Sequence, residues 1–167
     1  RISVSQGSTE IERLVDVDGR LLVMEDGQTV VATGYQGQVM AIDIRSGRPL
    51  WVKDASSYVG AADNFGNVFV VSADGSVNAI EDNGQGALWT QTVLARRELT
   101  EPVVFEGAIG VGDFEGYLHM LAKDDGRLIA RTRADSDGLR APMIADGKLL
   151  YVYGNSGELI AYKLQDR

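Results

Sequence analysis

The sequence predicts an all-β fold made of a repeated, four-stranded antiparallel unit, and three observations support this. Short apolar runs alternate with turn residues along a chain of 167 residues that has 20 glycines and only 3 prolines. A tryptophan stands 14 residues after a turn glycine in the first two units, at Trp51 and Trp89. The turn glycine itself recurs at intervals of 38, 41 and 41 residues, at Gly37, Gly75, Gly116 and Gly157.

The clearest unit is the stretch 67–89. Two apolar runs, Val68–Val71 and Val77–Ile80, are separated by a turn at Asp74 and Gly75, and a glycine-rich corner then leads into a run with Trp89. A further apolar run precedes each unit. Four short strands in about 40 residues is the period of a propeller blade, so we predict a β-propeller with about four blades in this chain.

The units divide the chain in order. Residues 1–20 hold a strand remnant at Arg1–Ser5 and an acidic loop, and blades follow at 21–57, 58–99 and 100–138. Residues 139–167 form a last blade without a fourth strand. We therefore expect the chain to be part of a larger ring. The alternative is that Arg1–Ser5 supplies the missing strand and closes the ends like a clasp.

The two tryptophans are predicted to be structural. Their fixed register favours rings that dock between blades, with each indole N–H on a carbonyl, over rings that stack on a ligand such as a quinone. Alanine recurs at one position of the third strands, at Ala41, Ala79 and Ala161, with Met120 in the third unit. Small residues there indicate a face where neighbouring sheets pack closely.

Composition excludes several kinds of site. The net charge is −8, from 16 basic and 24 acidic residues, which argues against nucleic acid as a ligand. The chain has no cysteine and one histidine, so thiolate and histidine-rich metal sites are excluded. The run Asp135–Gly138 resembles the start of a calcium loop but lacks the remaining ligands, which favours a plain turn. We predict no metal and no cofactor.

Several segments of the sequence resemble a known family. The corners SGRPLW (46–51) and GQGALW (84–89) resemble the docking motif of PQQ-like propeller repeats. Four longer segments are more specific: GSTEIERLVDVD (7–18), AIDIRSGRPLW (41–51), VGDFEGYLH (111–119) and ADGKLL (145–150). In these segments the chain resembles the C-terminal half of the BamB family, lipoproteins of the outer-membrane β-barrel assembly machinery.

The resemblance implies a fold, a location and a function. The fold is an eight-bladed propeller at the periplasmic face of the outer membrane, held there by a lipid anchor that lies upstream of this chain. The function is that of a non-catalytic scaffold that binds the periplasmic POTRA domains of BamA. Unfolded outer-membrane proteins are further expected partners, met through loops or by strand addition to an exposed blade edge.

Two candidate binding sites follow. Asp16 and Asp18 are two residues apart, so both carboxylates point the same way in an extended segment and favour a cationic partner. Spacing alone favours a solvated acidic turn, whereas the family resemblance favours a BamA contact. Gly19 and Arg20, which follow, depart from the family's usual Thr-Thr-Pro. Arg96 and Arg97, in a loop between units, are the second candidate partner-binding site.

His119 lies in a third strand with no second histidine or recognisable catalytic grouping, which indicates a structural residue. The rival function is a PQQ-dependent dehydrogenase, whose resemblance implies a central calcium and, in many members, a vicinal disulfide. The sequence offers neither a cysteine nor an obvious set of central carboxylate and amide ligands. A PQQ-like sensor domain that binds no POTRA domain is the third alternative.

Overall fold

The computed structural model describes residues 19–34 and 37–163, which form four successive antiparallel sheets. The first sheet, blade 1, contains β1 (Leu22–Val23), β2 (Thr29–Thr33), β3 (Gln38–Asp43) and β4 (Pro49–Asp54). Blade 2 contains β5 (Ala61–Asn64), β6 (Asn67–Val71), β7 (Val77–Glu81) and β8 (Ala87–Gln91). Blade 3 contains β9 (Val103–Phe105), β10 (Ala108–Gly112), β11 (Tyr117–Ala122) and β12 (Leu128–Arg133). Blade 4 contains three described strands, β13 (Ile144–Asp146), β14 (Leu149–Tyr153) and β15 (Leu159–Tyr162).

Each blade is a meander in which consecutive strands pair. The first strands of successive blades contact one another, β1 with β5, β5 with β9 and β9 with β13, so they form the inner side of the arrangement. This is the geometry of a β-propeller, and the predicted fold class is confirmed. The size of the complete ring stays a prediction. No helix in the described part of the chain is long and apolar enough to cross a membrane.

The hydrophobic core lies between blades. Val31 of blade 1 packs in one buried cluster with Val70 of blade 2, and Phe69 of blade 2 packs in another with Ile109 of blade 3. A third cluster joins blades 3 and 4. The middle strands of blades 2 and 3 send side chains alternately to the two neighbouring blades, because successive residues point to opposite faces of a sheet. Burial of one such side chain contributes about 1.5–3 kcal/mol, so each blade is stabilised by its neighbours.

The tryptophans connect the outer strand of one blade to the next blade. The indole Nε1–H of Trp51 donates a hydrogen bond to the carbonyl of Asp82 at 2.6 Å, and that of Trp89 donates to the carbonyl of Lys123 at 2.8 Å. The Trp89 ring lies against Gly126, where a methyl group would come within 2.5 Å of the ring. Both rings thus have the inter-blade position that their register predicts.

Blade 3 has no tryptophan, and its cross-strand pairs show how the space is filled. The equivalent pairs are Ala41 opposite Trp51, Ala79 opposite Trp89 and Met120 opposite Ala130. Residues directly opposite in a sheet share one face. In blades 1 and 2 the large residue of the pair lies in the fourth strand, whereas in blade 3 it lies in the third strand, so each pair still places one large side chain on that face. Ala161 has the equivalent position in β15 of the last described blade, where it is exposed.

The repeated turn glycines have backbone conformations that other residues rarely adopt. Gly75, Gly116 and Gly157 have φ of 87°, 85° and 92°. At Gly116, a Cβ atom would also overlap the carbonyl oxygen of Asp135. The turn needs glycine both for its left-handed conformation and for the close approach of the following loop.

Candidate functional site

The loops that connect successive blades lie at one end of the sheets, which we call the inter-blade end. It consists of the connections 55–60, 92–102 and 134–143 together with the second turns of blades 2, 3 and 4. Each connection is tied to the turn of the blade that follows it. The backbone bonds are from Ala73 to Ser56 at 2.8 Å, from Phe114 to Arg97 at 3.1 Å and from Asn155 to Gly138 at 3.0 Å. The inter-blade end is therefore held in shape by the fold itself.

A buried ionic network lies in the middle of this end. The Asp113 carboxylate is fully buried. Its Oδ2 accepts hydrogen bonds from Arg97 Nε at 2.5 Å and His119 Nε2 at 2.7 Å, and its Oδ1 accepts from the backbone N–H groups of Glu115 and Tyr117 at 3.0 and 2.9 Å. Arg97 also binds the Glu115 carboxylate at 2.5 Å. Four donors satisfy the buried charge, as burial of a carboxylate demands.

The network fixes the protonation of its members. Burial alone would raise the pKa of Asp113, but hydrogen bonds from His119, from the backbone of Tyr117 and from Arg97 hold it below the usual value. Burial lowers the pKa of His119, and the nearby charges of Arg131 and Arg97 act in the same direction against the pull of Asp113. His119 is therefore neutral near pH 7 and donates from Nε2. Its Nδ1 is buried and has no hydrogen-bond partner among the described residues.

A second ionic contact lies where the first strands begin. Arg20, just before β1, donates from Nε to Glu101 Oε1 at 3.0 Å and contacts the same oxygen through a second nitrogen. Glu101 is buried while the Arg20 side chain is 69 % exposed, so the guanidinium covers the carboxylate from the solvent side. Gly60 lies beside Glu101, with room only for hydrogen there. A cavity of about 330 Å³ lined by the first strands of all four blades lies next to Arg20.

The predicted binding residues have different positions. Asp16 and Asp18 lie outside the described residues. Arg96 is exposed at the inter-blade end and has φ of 64°, with its backbone N–H bonded to the Asp74 carbonyl at 2.9 Å. Arg97 is half-buried and engaged by Asp113. The two arginines, although adjacent in sequence, therefore differ in environment, and of the two only Arg96 is exposed.

The resemblance of Asp135–Gly138 to a calcium loop has a structural explanation. Asp135 Oδ1 accepts the backbone N–H of Asp137 at 2.5 Å, and its Oδ2 accepts the Ser156 hydroxyl at 2.5 Å. Hydrogen bonds from Ser156 and Asp137 lower the pKa of Asp135. Oδ1 thus holds a turn within the loop after blade 3, and Oδ2 joins this loop to the second turn of blade 4.

Sequence patterns alone do not single out Asp113 and Glu101. The positions equivalent to Asp113 in the neighbouring units are Ser72 and Gly154, so the repeat carries no sign of a charge there. The one sequence feature that could indicate the network is that Arg97 precedes and His119 follows Asp113 in the third unit and its connection. Only the fold shows that all three side chains meet.

Comparison with known proteins places the chain in a family. The family model described as "Outer membrane protein assembly factor BamB" matches residues 1–90 and 73–167. Outer membrane protein assembly factor BamB from Pseudomonas aeruginosa is 46 % identical over 165 residues, which cover 99 % of this chain and 43 % of the relative. The BamB of Escherichia coli K12 is 41 % identical over 151 residues, 90 % of this chain and 38 % of the relative.

Solved structures agree with this assignment. The crystal structure of BamB from Moraxella catarrhalis has a TM-score of 0.85 at 29 % identity, over 98 % of this chain and 48 % of that one. Quinohemoprotein alcohol dehydrogenase from Comamonas testosteroni has a TM-score of 0.59 at 21 % identity over 78 % of this chain and 21 % of that one, a likeness of fold alone.

The chain spans less than half the length of the curated relatives it matches. The order of the matched segments, the level of identity and the shared propeller geometry lead to one assignment. The chain belongs to the BamB family of outer membrane protein assembly factors.

Proposed function

We propose that this chain is part of a non-catalytic scaffold for outer membrane protein assembly that binds the POTRA domains of BamA at its inter-blade end. Family membership supports the general role, because the relatives are named as outer membrane protein assembly factors. We further propose that the scaffold acts at the periplasmic face of the outer membrane and assists the folding and insertion of β-barrel proteins.

The main support for a binding site at Asp16 and Asp18 is that the two residues after them, Gly19 and Arg20, are anchored to the fold. Gly19 packs so closely that a Cβ atom there would lie 2.5 Å from the Val59 carbonyl oxygen, and Arg20 is paired with Glu101. In the repeat, the acidic segment is the counterpart of the connections that form the inter-blade end. Residues 19 and 20, directly after the acidic pair, are thus held in place, so a cationic partner that contacts them meets a surface that the fold has already ordered.

Arg96 and Arg97 have separate roles in this proposal. The exposed Arg96 side chain is a direct contact for the partner at the inter-blade end. Arg97 holds the connection 92–102 against blade 3 through Asp113, so it positions Arg96 and does not itself contact the partner. Exposed blade edges are a second contact region, for unfolded barrel precursors.

The test is the affinity of the intact protein for the periplasmic domains of BamA, by calorimetry or pull-down. Changing both Asp16 and Asp18 to Lys should abolish binding and leave the thermal midpoint unchanged. The control is the same change at Asp124 and Asp125, an exposed acidic pair at the corner of blade 3, away from the inter-blade end. Unaltered affinity of the Asp16/Asp18 variant, or equal loss in the control, would remove the acidic pair from the site.

A second experiment separates the scaffold from the dehydrogenase alternative. The protein is titrated with pyrroloquinoline quinone and calcium in the presence of an alcohol. We expect neither saturable quinone binding nor oxidation of the alcohol. Saturable binding with turnover would contradict the scaffold function, and failure to bind any POTRA domain would favour the sensor alternative.

A further inference from the structure

Three guanidinium groups surround one aromatic ring on the outer side of blade 3. The Cζ atoms of Arg131, Arg133 and Arg97 lie 3.7, 5.7 and 5.9 Å from the centroid of the Tyr117 ring. Arg131 stacks on the ring at the distance of direct contact, where cation–π attraction is strongest. We call Tyr117, Arg131 and Arg133 the arginine stripe. This concentration of positive charge is unusual for a chain with a net charge of −8.

Strand register places the two outer arginines on one face. Arg131 is opposite His119 and Arg133 is opposite Tyr117 in the pairing of β12 with β11. Since the two arginines are two residues apart in a strand, their side chains point the same way with a repeat of about 6.5 Å. Every residue of β12 is exposed, and β12 is the edge strand of its sheet.

The charges of Arg131 and Arg133 are not neutralised by an ion pair within the described ranges. Arg97, by contrast, is paired with Asp113 and Glu115. Within the same ranges, Arg133 donates a single hydrogen bond, to the carbonyl of Asp135 at the long distance of 3.4 Å. The Asp135 carboxylate oxygens accept their hydrogen bonds from Ser156 and Asp137, which lower the pKa of Asp135 most, and the positive charge of Arg133 lowers it only slightly. Two exposed guanidinium groups therefore retain their donors for another molecule.

The surface beneath the stripe is rigid. Tyr117 begins β11 beside the fully buried pair of Asp113 and His119, and its own backbone N–H is bonded to Asp113. The Arg131 guanidinium stacks on this ring, so the contact supplies part of the side-chain ordering that binding requires. Guanidinium groups held in place bind carboxylates through two parallel hydrogen bonds, at a smaller entropic cost than free lysines.

We propose that the arginine stripe binds an extended acidic segment of a partner protein that has carboxylates two residues apart. The stripe and such a segment share the period of a β-strand, so both carboxylates can face both arginines at once. The unpaired edge of β12 can bond the backbone of the segment. This inference rests on blade 3 alone and does not depend on BamA binding by Asp16 and Asp18.

Two alternative roles of the stripe lead to different experimental outcomes. Charges on an edge strand also prevent edge-to-edge association of sheets. If this is the role of the arginine stripe, removing its charges would cause self-association without any loss of peptide binding. A patch of arginines also attracts anionic membranes, in which case vesicles would bind and a short acidic peptide would not. The experiment has an arm for each.

The experiment measures binding of the intact protein to a fluorescent peptide of alternating aspartate and valine, by anisotropy. The comparison peptides replace aspartate by asparagine, or separate the same number of aspartates by three residues. The test variant is Arg131→Gln with Arg133→Gln. The control is Arg45→Gln with Arg48→Gln, which changes the net charge equally at exposed positions in the corner of blade 1.

We expect saturable binding of the alternating peptide alone and a loss of about tenfold or more in affinity for the test variant, with no change in the control. Binding should weaken as the ionic strength rises from about 0.05 to 0.3 M. Tyr117→Leu, which keeps all three charges but removes their platform, should weaken binding by about threefold to tenfold. A lysine at both positions should restore only part of the affinity, because its ammonium lacks the planar fork.

Several results would overturn the inference. These are no saturable peptide binding at low salt, equal binding of the asparagine peptide, or an equal loss in the control variant. Binding to vesicles of phosphatidylglycerol but not to the peptide would assign the stripe to a membrane. Self-association of the test variant in sedimentation velocity, with unchanged peptide binding, would leave the stripe only a protective role.

Discussion

The contact between Trp89 and Gly126 allows the packing of one blade against the next to be measured. Gly126 has φ of 70°, and a methyl group there would lie 2.5 Å from the ring of Trp89. Gly107 has a similar φ of 79°, but a methyl group there would meet nothing within 4 Å. Alanine at Gly107 therefore tests the backbone cost alone, and alanine at Gly126 tests that cost together with the clash.

The magnitudes follow from these two contributions. A left-handed conformation costs a non-glycine residue about 1–2 kcal/mol, which is the expected loss for Gly107→Ala. Overpacking adds about 1–3 kcal/mol, so Gly126→Ala should cost about 2–5 kcal/mol. Trp89→Ala should cost about 3 kcal/mol, because a half-buried ring and its hydrogen bond to the carbonyl of Lys123 are lost. In the Trp89→Ala background, Gly126→Ala should cost no more than Gly107→Ala does.

The assay is urea unfolding of the intact protein followed by far-ultraviolet circular dichroism, since tryptophan fluorescence changes with the substitution itself. The double-mutant cycle should give a coupling free energy of about 1–3 kcal/mol between positions 89 and 126. Equal costs for Gly126→Ala and Gly107→Ala would refute the reasoning. So would a cost at Gly126 that persists in full after Trp89 is removed.

Three further predictions concern the buried ionisable groups. Burial lowers the pKa of His119 in the folded protein, so below pH 6.5, the ordinary pKa of histidine, the unfolded chain binds more protons at this residue than the folded chain does. The free energy of unfolding should therefore fall between pH 7 and pH 5, by at most about 1.4 kcal/mol per pH unit. In urea titrations, His119→Gln should reduce this dependence on pH, and an unchanged slope would contradict the prediction. The depressed pKa of Asp113 has its effect in a separate window, below its ordinary value of about 3.8, where protonation should remove its stabilising contribution as the pH falls. Arg20→Ala should lower the free energy of unfolding by about 1–2 kcal/mol, because the Glu101 carboxylate is left buried without its partner. Adding Glu101→Gln to this variant should restore most of the lost stability in thermal unfolding. No recovery of stability would show that Arg20 acts by packing alone.

The blade pattern is predictable from sequence because it depends on local chemistry. Turns with φ near 90° favour glycine, strands with a period of two residues favour alternating burial, and both leave marks at fixed spacing. The position of Trp89 and the direction of its N–H also follow from register. The packing role of Met120 cannot be predicted from its own position, because it depends on the small Ala130 opposite it on the neighbouring strand. That pairing is known only once the register of the two strands is known.

The candidate site is harder to predict because it depends on contacts between units. Arg97 has the sequence context of an exposed loop residue, since a sequence shows its neighbours along the chain but not the Asp113 carboxylate of the following blade. Arg131 and Arg133 carry no distinguishing mark for the same reason. Their meaning lies in the Tyr117 ring across the strand pair, and alternation of arginine with threonine is ordinary in an exposed strand.

The docking of tryptophan on glycine also bears on how such a chain can grow. Blade 2 contains both halves of the joint, the corner glycine at Gly84 that receives Trp51 and the Trp89 that reaches Gly126. A duplicated copy of blade 2, inserted after the original, would receive the original's tryptophan and present its own to blade 3. For this tryptophan–glycine joint, duplication of a single blade therefore creates matching contacts at both junctions.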